Sequence, residues 1–436
     1  EVRAHLARCD VGAGTHRSSR YVALVAALLF AVHPVHVEAV TGVVGRADLL
    51  CAVFMLIALR IYRCVDDIDK GPTRGGVALK AAGYLVAFVL CTWTAIFTKE
   101  VGIMVLAIVG CSDVSHALCA VALAPRAPKR RRATRCARYA TFASVLLRRV
   151  ALRWGFALVC GVGYLILRLL VMCERGGAWL GLPPLVVAGE QSTPRRNAAE
   201  GLLATLYHVL ASGEWRSATL ETSGLLRKAE NPFAFLESKL SKGLSLAYLQ
   251  ARWAQLLLFP QQLCAEYSFN CIPPIDSLLD PRNLATLALA VGSAMLLFIA
   301  CGASRRQGAR VLRCTRRKQH AHAAETAAAR AAGQLVKMAN ARWRRQQHAL
   351  RVAIAITVLP HLPGSNLITP VGTLIAERLL YIPSIGFVLG GAVLWQMRED
   401  ARDGEPGGAA RSRDAAHAAS AASAALAVKA ATGGAR

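Results

Sequence analysis

The sequence predicts an all-α fold, a polytopic bundle of membrane helices, and three observations predict it. Apolar side chains make up 55% of the 436 residues, with a mean hydropathy of +0.39, against roughly 45–50% in an average soluble chain. They gather in runs of about 20, the length that crosses a bilayer as a helix. Lys and Arg outnumber Asp and Glu by 52 to 26, for a net charge of +26, and they concentrate between the runs, as cationic loops beside spans do. Nucleic-acid binding also calls for excess Lys and Arg, but it leaves the apolar runs unexplained.

Taken in order, residues 1–20 form a variable N-terminal segment, with neither an initiator Met nor a signal-peptide pattern. The chain therefore reads as starting within a longer protein. The membrane domain runs from 21 to 397, with candidate spans at 21–36, 46–64, 79–97, 101–124, 154–173, 282–301, 352–368 and 379–397. The stretch AYLQARWAQLLLFPQQLC at 247–264 holds Arg252 and is interrupted by Pro260; it can span, re-enter or lie in the interface. Loop charge favours a non-crossing role. Residues 126–153 hold ten Lys and Arg and no acid, and 303–351 hold thirteen against the single Glu325, so both are expected in the cytosol. The loop 174–247 balances eight basic residues against seven Glu and is expected in the lumen. Both basic loops fall on one side only if 247–264 does not cross. Residues 398–436, rich in Ala, Arg and Gly, form a low-complexity tail. The basic run RAPKRRRATRCAR looks like a nucleic-acid patch, but beside a span it is more simply a topology signal that also touches anionic lipid.

On this count one non-cytosolic face collects the unusual polar residues. Glu38, Arg46 and Asp48 are wedged between two apolar runs, where ionisable groups cost roughly 2.5–3.5 kcal/mol each on insertion scales and mark function by default. Glu38 and Asp48 are ten residues apart, about 15 Å if helical throughout, too far to share a proton. Asp48 is expected to pair locally with Arg46. Lys99 and Glu100 read equally as interfacial residues in a short turn between spans. His33 and His36 with Glu38 give H-x-x-H-x-E, ligand types that suit a metal, yet Pro34 disturbs the helical turn and the spacing fits no zincin pattern. A hydrogen-bonded histidine pair at the membrane surface is the preferred reading, with no metal. Arg168 is assigned to snorkelling at a span end. Arg378, beside Glu377, is the better candidate for gripping a lipid phosphate, because guanidinium binds phosphate in two places and stays charged. The 13 cysteines include no C-x-x-C pair, against a zinc site. Cys264 and Cys271, in CAEYSFNC, are close enough for a local disulfide in an oxidising lumen or for two unpaired thiols.

The stretches HPVHVEAVTGVVGRADLL, TKEVGIMVLA, the run from NPFAFLESK through LLDPRNLA, and LPGSNLITPVGTLIAERLLYIPSIGF together carry a resemblance. In this order, across about 21–390, the chain resembles the membrane domain of the transmembrane and tetratricopeptide-repeat-containing family of endoplasmic-reticulum protein O-mannosyltransferases. The resemblance implies a GT-C glycosyltransferase-like bundle in the endoplasmic-reticulum membrane. It also implies transfer of mannose from dolichyl-phosphate mannose, with no cofactor, to Ser or Thr of secretory-pathway proteins such as cadherins. A luminal base would deprotonate the acceptor while cationic groups hold the departing phosphate. By motif, Glu38 and Asp48 would be catalytic, and His33, His36, Arg46, Lys99, Glu100, Glu377 and Arg378 would bind substrate. The family's first span and acidic first luminal loop have no counterpart before residue 21, and the tetratricopeptide helices are not matched. A non-catalytic membrane scaffold, or an inactive fragment of such an enzyme, is the alternative.

The loop charges make a topological prediction. N-glycosylation acceptors engineered into 174–247 should be modified, and those in 126–153 and 303–351 should not; glycosylation within 303–351 alone would reverse the assignment.

Overall fold

The computed structural model describes residues 11–68, 77–123, 161–163, 227–302 and 324–403. Among them the chain is helical, with one isolated antiparallel bridge between Glu266 and Ala376. In chain order the helices are α1 (Val11–Ala31), α2 (Val37–Thr41), α3 (Arg46–Ile68), α4 (Val77–Thr98), α5 (Met104–Leu123), α6 (Lys239–Leu258), α7 (Asn283–Cys301), α8 (Ala324–Val358) and α9 (Tyr381–Asp403). Short 3-10 turns at Pro34–His36, Glu100–Ile103, Pro232–Phe235, Leu362–Gly364 and Glu377–Leu380 lead into or between them.

Four described helices are long and apolar enough to cross a membrane: Leu79–Thr98, Glu100–Cys119, Asn283–Cys301 and Glu377–Arg402; a fifth is made if Tyr21–Ala31 and Pro34–Thr41 count as one broken span. The expected span at 46–64 does form a helix, α3, but Asp48, Arg60 and Arg63 set it apart from these four. The expected span at 352–368 does not form. α8 stops at Val358, and the chain turns through Pro360, Pro363 and Gly364, because proline withholds an N–H and crowds the preceding turn. The helix instead extends backward to Ala324, so the second half of the basic stretch 303–351 is helical rather than looped. α6, which contains most of 247–264, carries Lys239, Lys242 and Arg252 and ends ahead of Pro260. The loop 126–153, the span 154–173 apart from 161–163, Arg168, residues 174–226 and the tail beyond 403 lie outside the described residues.

The chain divides into two compact units. In the smaller (Glu1–Ala31, Ser304–Leu350 and Val388–Arg436), Arg342 Nε pairs with Asp400 at 2.6 Å, Gln346 donates to the same carboxylate, and Tyr21 meets Trp395 edge to face.

The larger unit, Val32–Ala303 with Arg351–Phe387, holds two apolar cores. One is built from Cys51, Met55 and Tyr62 of α3, Phe88 and Ala95 of α4, and Val105 and Ile108 of α5. The turn joining α4 to α5 is tight. A Cβ on Gly102 would lie 2.4 Å from the Ala95 backbone, which only glycine avoids. The other core joins Val35, Phe233, Leu249, Trp253 and Leu256 to Tyr267, Leu374, Ile375 and Leu380. α6 starts on a Ser238 cap that accepts from Ser241 N, and its buried face, including Leu249, Trp253 and Leu256, repeats at the three- and four-residue spacing of a packed helix.

His361 closes this second core. Its Nε2 faces Gln250 Oε1 at 3.0 Å, and the Gln250 amide donates to Leu246 O and Ser365 O, which fixes Nε2 as the protonated nitrogen. Nδ1 is buried without a partner, so a second proton would bury an unsatisfied N–H. Burial lowers the imidazole pKa from 6.5 to about 4. The neutral form is then the folded one, and stability is full above pH 6.5 and is lost as pH falls toward 4, on the order of 3 kcal/mol. Thermal unfolding in detergent from pH 7.5 to 4.5 should show that loss, and His361→Gln should flatten it.

Candidate functional site

The site is built on a buried, non-helical segment just ahead of α9. Leu374, Ile375 and Ala376 are fully buried, and Glu377 is 2% exposed. Their backbone cannot reach water and must be paired within the protein. Tyr267 N–H donates to Ile375 O (3.1 Å), and Glu266 bridges Ala376. The next amide, Arg378 N–H, donates to Glu38 Oε2 at 2.7 Å, and Arg378 Nη1 donates to Glu38 Oε1 at 2.8 Å. Glu38 thus holds both backbone and guanidinium of one residue 340 positions away, and charge-assisted bonds of this kind are among the strongest a protein makes. Arg378 Nη2 lies 3.7 Å from Glu266 Oε1, and the side chain is 29% exposed. That hydrogen bond to Glu38 is the one its guanidinium makes among the described residues, which leaves N–H donors at the surface.

Glu377 points the other way. Its Oε1 accepts from Cys264 N–H at 2.7 Å and from the Tyr267 hydroxyl at 3.1 Å. Burial first, and then the Glu377 charge, push the Tyr267 phenol up to about 12, so it stays a donor. Cys264 and Tyr267 also line, with Tyr248, Arg252, Gln262 and Cys271, a cavity of about 500 Å³.

A second ion pair joins the start of α3 to the turn after α4. Lys99 Nζ donates to Asp48 Oδ1, whose side chain is 3% exposed, while Oδ2 is buried with no partner. Arg378 also acts on Asp48 through space. The local Arg46–Asp48 pair expected from the sequence is therefore not formed. Residues two apart on a helix point to opposite sides, and α3 sends Asp48 inward and leaves Arg46 exposed.

The histidines are bonded, though not to each other. His33 Nδ1 accepts from Val35 N–H and its Nε2 meets Leu257 O at 3.0 Å; only the neutral Nε2–H form satisfies both. His36 Nε2 meets Ser384 Oγ at 2.7 Å, and that hydroxyl donates onward to Tyr381 O. The rings lie 5.5 Å apart. Both serve to fix the turn that presents Glu38. Among the described residues no group of three or more His, Cys, Asp or Glu could hold a metal ion. Glu100 is exposed at the start of the 3-10 turn. The Cys264–Cys271 bridge is not formed: both thiols are free and exposed, and the Cys264 thiol donates to Glu266 O at 3.2 Å.

The structure brings Glu38, Glu377 and Arg378 into one network and adds Glu266 and Tyr267, which the sequence reading passed over. Their signal lies inside CAEYSFNC, in the acid and phenol between the two cysteines.

The profile of the family described as "Protein O-mannosyl-transferase TMTC, DUF1736" matches residues 221–294, the stretch holding α6, Glu266 and Tyr267. Over 86% of its length the chain is 29% identical to "Protein O-mannosyl-transferase TMTC3" of Mus musculus, covering 30% of that protein. It is 27% identical to "Protein O-mannosyl-transferase TMTC4" of Homo sapiens over 84% of the chain and 37% of that protein. With "Protein O-mannosyl-transferase TMTC2" of Homo sapiens it shares 26% identity over 85% of the chain and 38% of that protein. The chain thus spans about a third of the length of the curated relatives it matches. No solved structure matches.

The Asp48–Lys99 pair makes a stability prediction. Lys99→Met alone should destabilise by about 3–5 kcal/mol, because it strands a buried carboxylate, whereas Asp48→Asn with Lys99→Met should recover most of that loss. A double-mutant cycle on unfolding midpoints in detergent measures both.

Proposed function

We propose, because the chain belongs to the protein O-mannosyl-transferase TMTC family through its membrane domain, that it forms the donor-binding part of a GT-C-like mannosyltransferase of the endoplasmic-reticulum membrane. The donor is dolichyl-phosphate mannose, and the acceptors are Ser and Thr hydroxyls of secretory-pathway proteins, cadherins among them. In the reaction the acceptor oxygen bonds to mannose C1, the bond from C1 to the phosphate oxygen breaks, and the hydroxyl proton passes to a base. Charge gathers on the departing dolichyl phosphate, where a fixed cation stabilises it most.

The observation that carries this reading is Arg378. It sits at the head of a helix apolar enough to cross a membrane, partly exposed, with its backbone and one guanidinium nitrogen clamped by Glu38. An arginine fixed in this way offers its remaining donors to a phosphate without first having to be ordered. Glu38 is then a positioning residue, since both its oxygens are engaged. Asp48 and Lys99 hold the neighbouring turn, and Glu377 anchors the 264–267 segment. The base that takes the acceptor proton is assigned, as the resemblance implies, to the family's first luminal loop.

One observation favours a second reading, the non-catalytic scaffold. Both Glu38 oxygens are engaged and Asp48 is buried, so neither carboxylate carried over by motif stands open to a substrate. Mannose transfer from dolichyl-phosphate mannose to an acceptor peptide, measured in membranes with full-length protein at matched expression, separates the two. Arg378→Ala should raise the donor KM by an order of magnitude or more, as loss of a charge-assisted contact worth about 1.5–3 kcal/mol requires, with the acceptor KM little changed. Glu38→Gln should move the donor KM the same way by a smaller factor. Transfer no greater than that of membranes lacking the protein would favour the scaffold, and unchanged transfer by both variants would overturn the donor role of Arg378.

A further inference from the structure

The turn that leads into α7 presents two leucines outward. Leu279 is 93% exposed and Leu278 is 67% exposed, a costly display for a tip bathed in water.

Most of the backbone polar groups of the same turn are hydrogen-bonded locally. Leu279 N–H donates to Ser277 Oγ, and Asp280 N–H to Ser277 O. The carbonyls of Ser277 and Leu278 both accept from Asn283 Nδ2, at 3.1 and 3.0 Å. The one acid, Asp280, takes both carboxylate oxygens to Arg282, through Nε at 3.0 Å and Nη2 at 2.7 Å. Hydrogen bonds from Arg282 hold the Asp280 carboxyl below its ordinary range, so the pair stays ionised and its charge is cancelled on the spot. Arg282 spends its other donors on Pro273 O and Pro274 O and lies 5.6 Å from the centre of the Tyr248 ring. A backbone largely capped, charge neutralised in place and apolar side chains pointing out together suit a loop that dips to the boundary of the acyl region.

Continuity with the membrane supplies the occupant. α7 begins at Asn283 and is the most apolar of the four membrane-length helices, and almost none of it is buried within the protein. Its exposed Leu284, Leu287, Val291, Met295 and Phe298 follow a three- and four-residue spacing along one stripe. Leu278 and Leu279 lie directly ahead of that lipid-length stripe, so the helix that leaves the bilayer does so through them.

We propose that Ser277–Arg282 is a membrane-dipping turn whose Leu278 and Leu279 side chains insert into the acyl region of the leaflet at the N-terminal end of α7. The partner is a phospholipid surface. The turn is tied back to α6 by Ser241 Oγ donating to Asp276 Oδ1 (2.6 Å) and by Ile275 N–H donating to Ser245 Oγ (2.8 Å). Inserting it therefore fixes α6 at the surface of the leaflet.

The test places an environment-sensitive fluorescent amino acid at position 279, at position 278 in a second variant, and at the exposed Lys228 as an aqueous control. Each is carried by the full chain in phosphatidylcholine nanodiscs. Doxyl groups near the head of the acyl chain should quench positions 278 and 279 several-fold more than Lys228, and iodide in the buffer should quench them several-fold less. Iodide quenching equal to that at Lys228 would overturn the proposal, and so would protection from both quenchers, which would mean that protein covers the turn.

Discussion

The fold around the site depends on one constraint: the backbone of residues 374–376 is buried and is not helical, and it runs straight into the 3-10 turn that begins at Glu377. Apolar surroundings give an unpaired N–H or C=O no water to turn to, and leaving one unmade costs far more than a formed hydrogen bond gains. The partners come from two remote parts of the chain. Glu266 and Tyr267 take one side of the segment, and Glu38 takes Arg378 N–H on the other. The turn at Pro34–His36 and the CAEYSFN segment can then each be seen as delivering a hydrogen bond to this stretch. His33 and His36 are spent on holding the first of them in place.

Clamping Arg378 by its own backbone changes what its charge can do. An ordinary surface ion pair gains little, because two long side chains lose freedom for a screened attraction. Here the carboxylate is fixed by the amide hydrogen bond before it meets the guanidinium, so that entropy is already lost. Arg378 keeps its position whether or not an anion is present, and its unused donors stay at the surface beside a membrane-length helix. Glu377, one residue earlier, is turned inward to Cys264 and Tyr267, so adjacent residues divide the work. One carboxylate builds the wall, and the arginine faces outward from it.

The sequence announced the membrane helices well, because a run of about 20 apolar residues has few other uses; α4, α5, α7 and α9 follow the expected runs closely. It misjudged 352–368, where hydropathy outweighed Pro360, Pro363 and Gly364, and the helix stops where proline chemistry says it should. Within the site, Glu38, Glu377 and Arg378 could be picked out as ionisable groups beside apolar runs. Their pairing could not, since Glu38 and Arg378 are 340 residues apart and nothing local links them. Local reasoning also paired Asp48 with Arg46, the nearest cation, where helix geometry turns the two apart and a lysine from another turn takes the place.

Glu38 and Asp48 would stand on one long helix if the ten residues between them were helical. They do not, because the chain breaks after Thr41. Gly42 caps α2 with its N–H on Glu38 O, and a Cβ on Gly45 would sit 2.2 Å from Ala39 O, so the return into α3 is passable only for glycine. The break packs Gly45 back against Ala39 of α2. It lets α2 present Glu38 to the segment before α9 while α3 carries Asp48 to Lys99, with Arg378 near enough to act on both carboxylates. A larger side chain at Gly45 would therefore move two ion pairs at once, and through Glu38 it would also release the Arg378 amide, the backbone half of the clamp that fixes the arginine's direction.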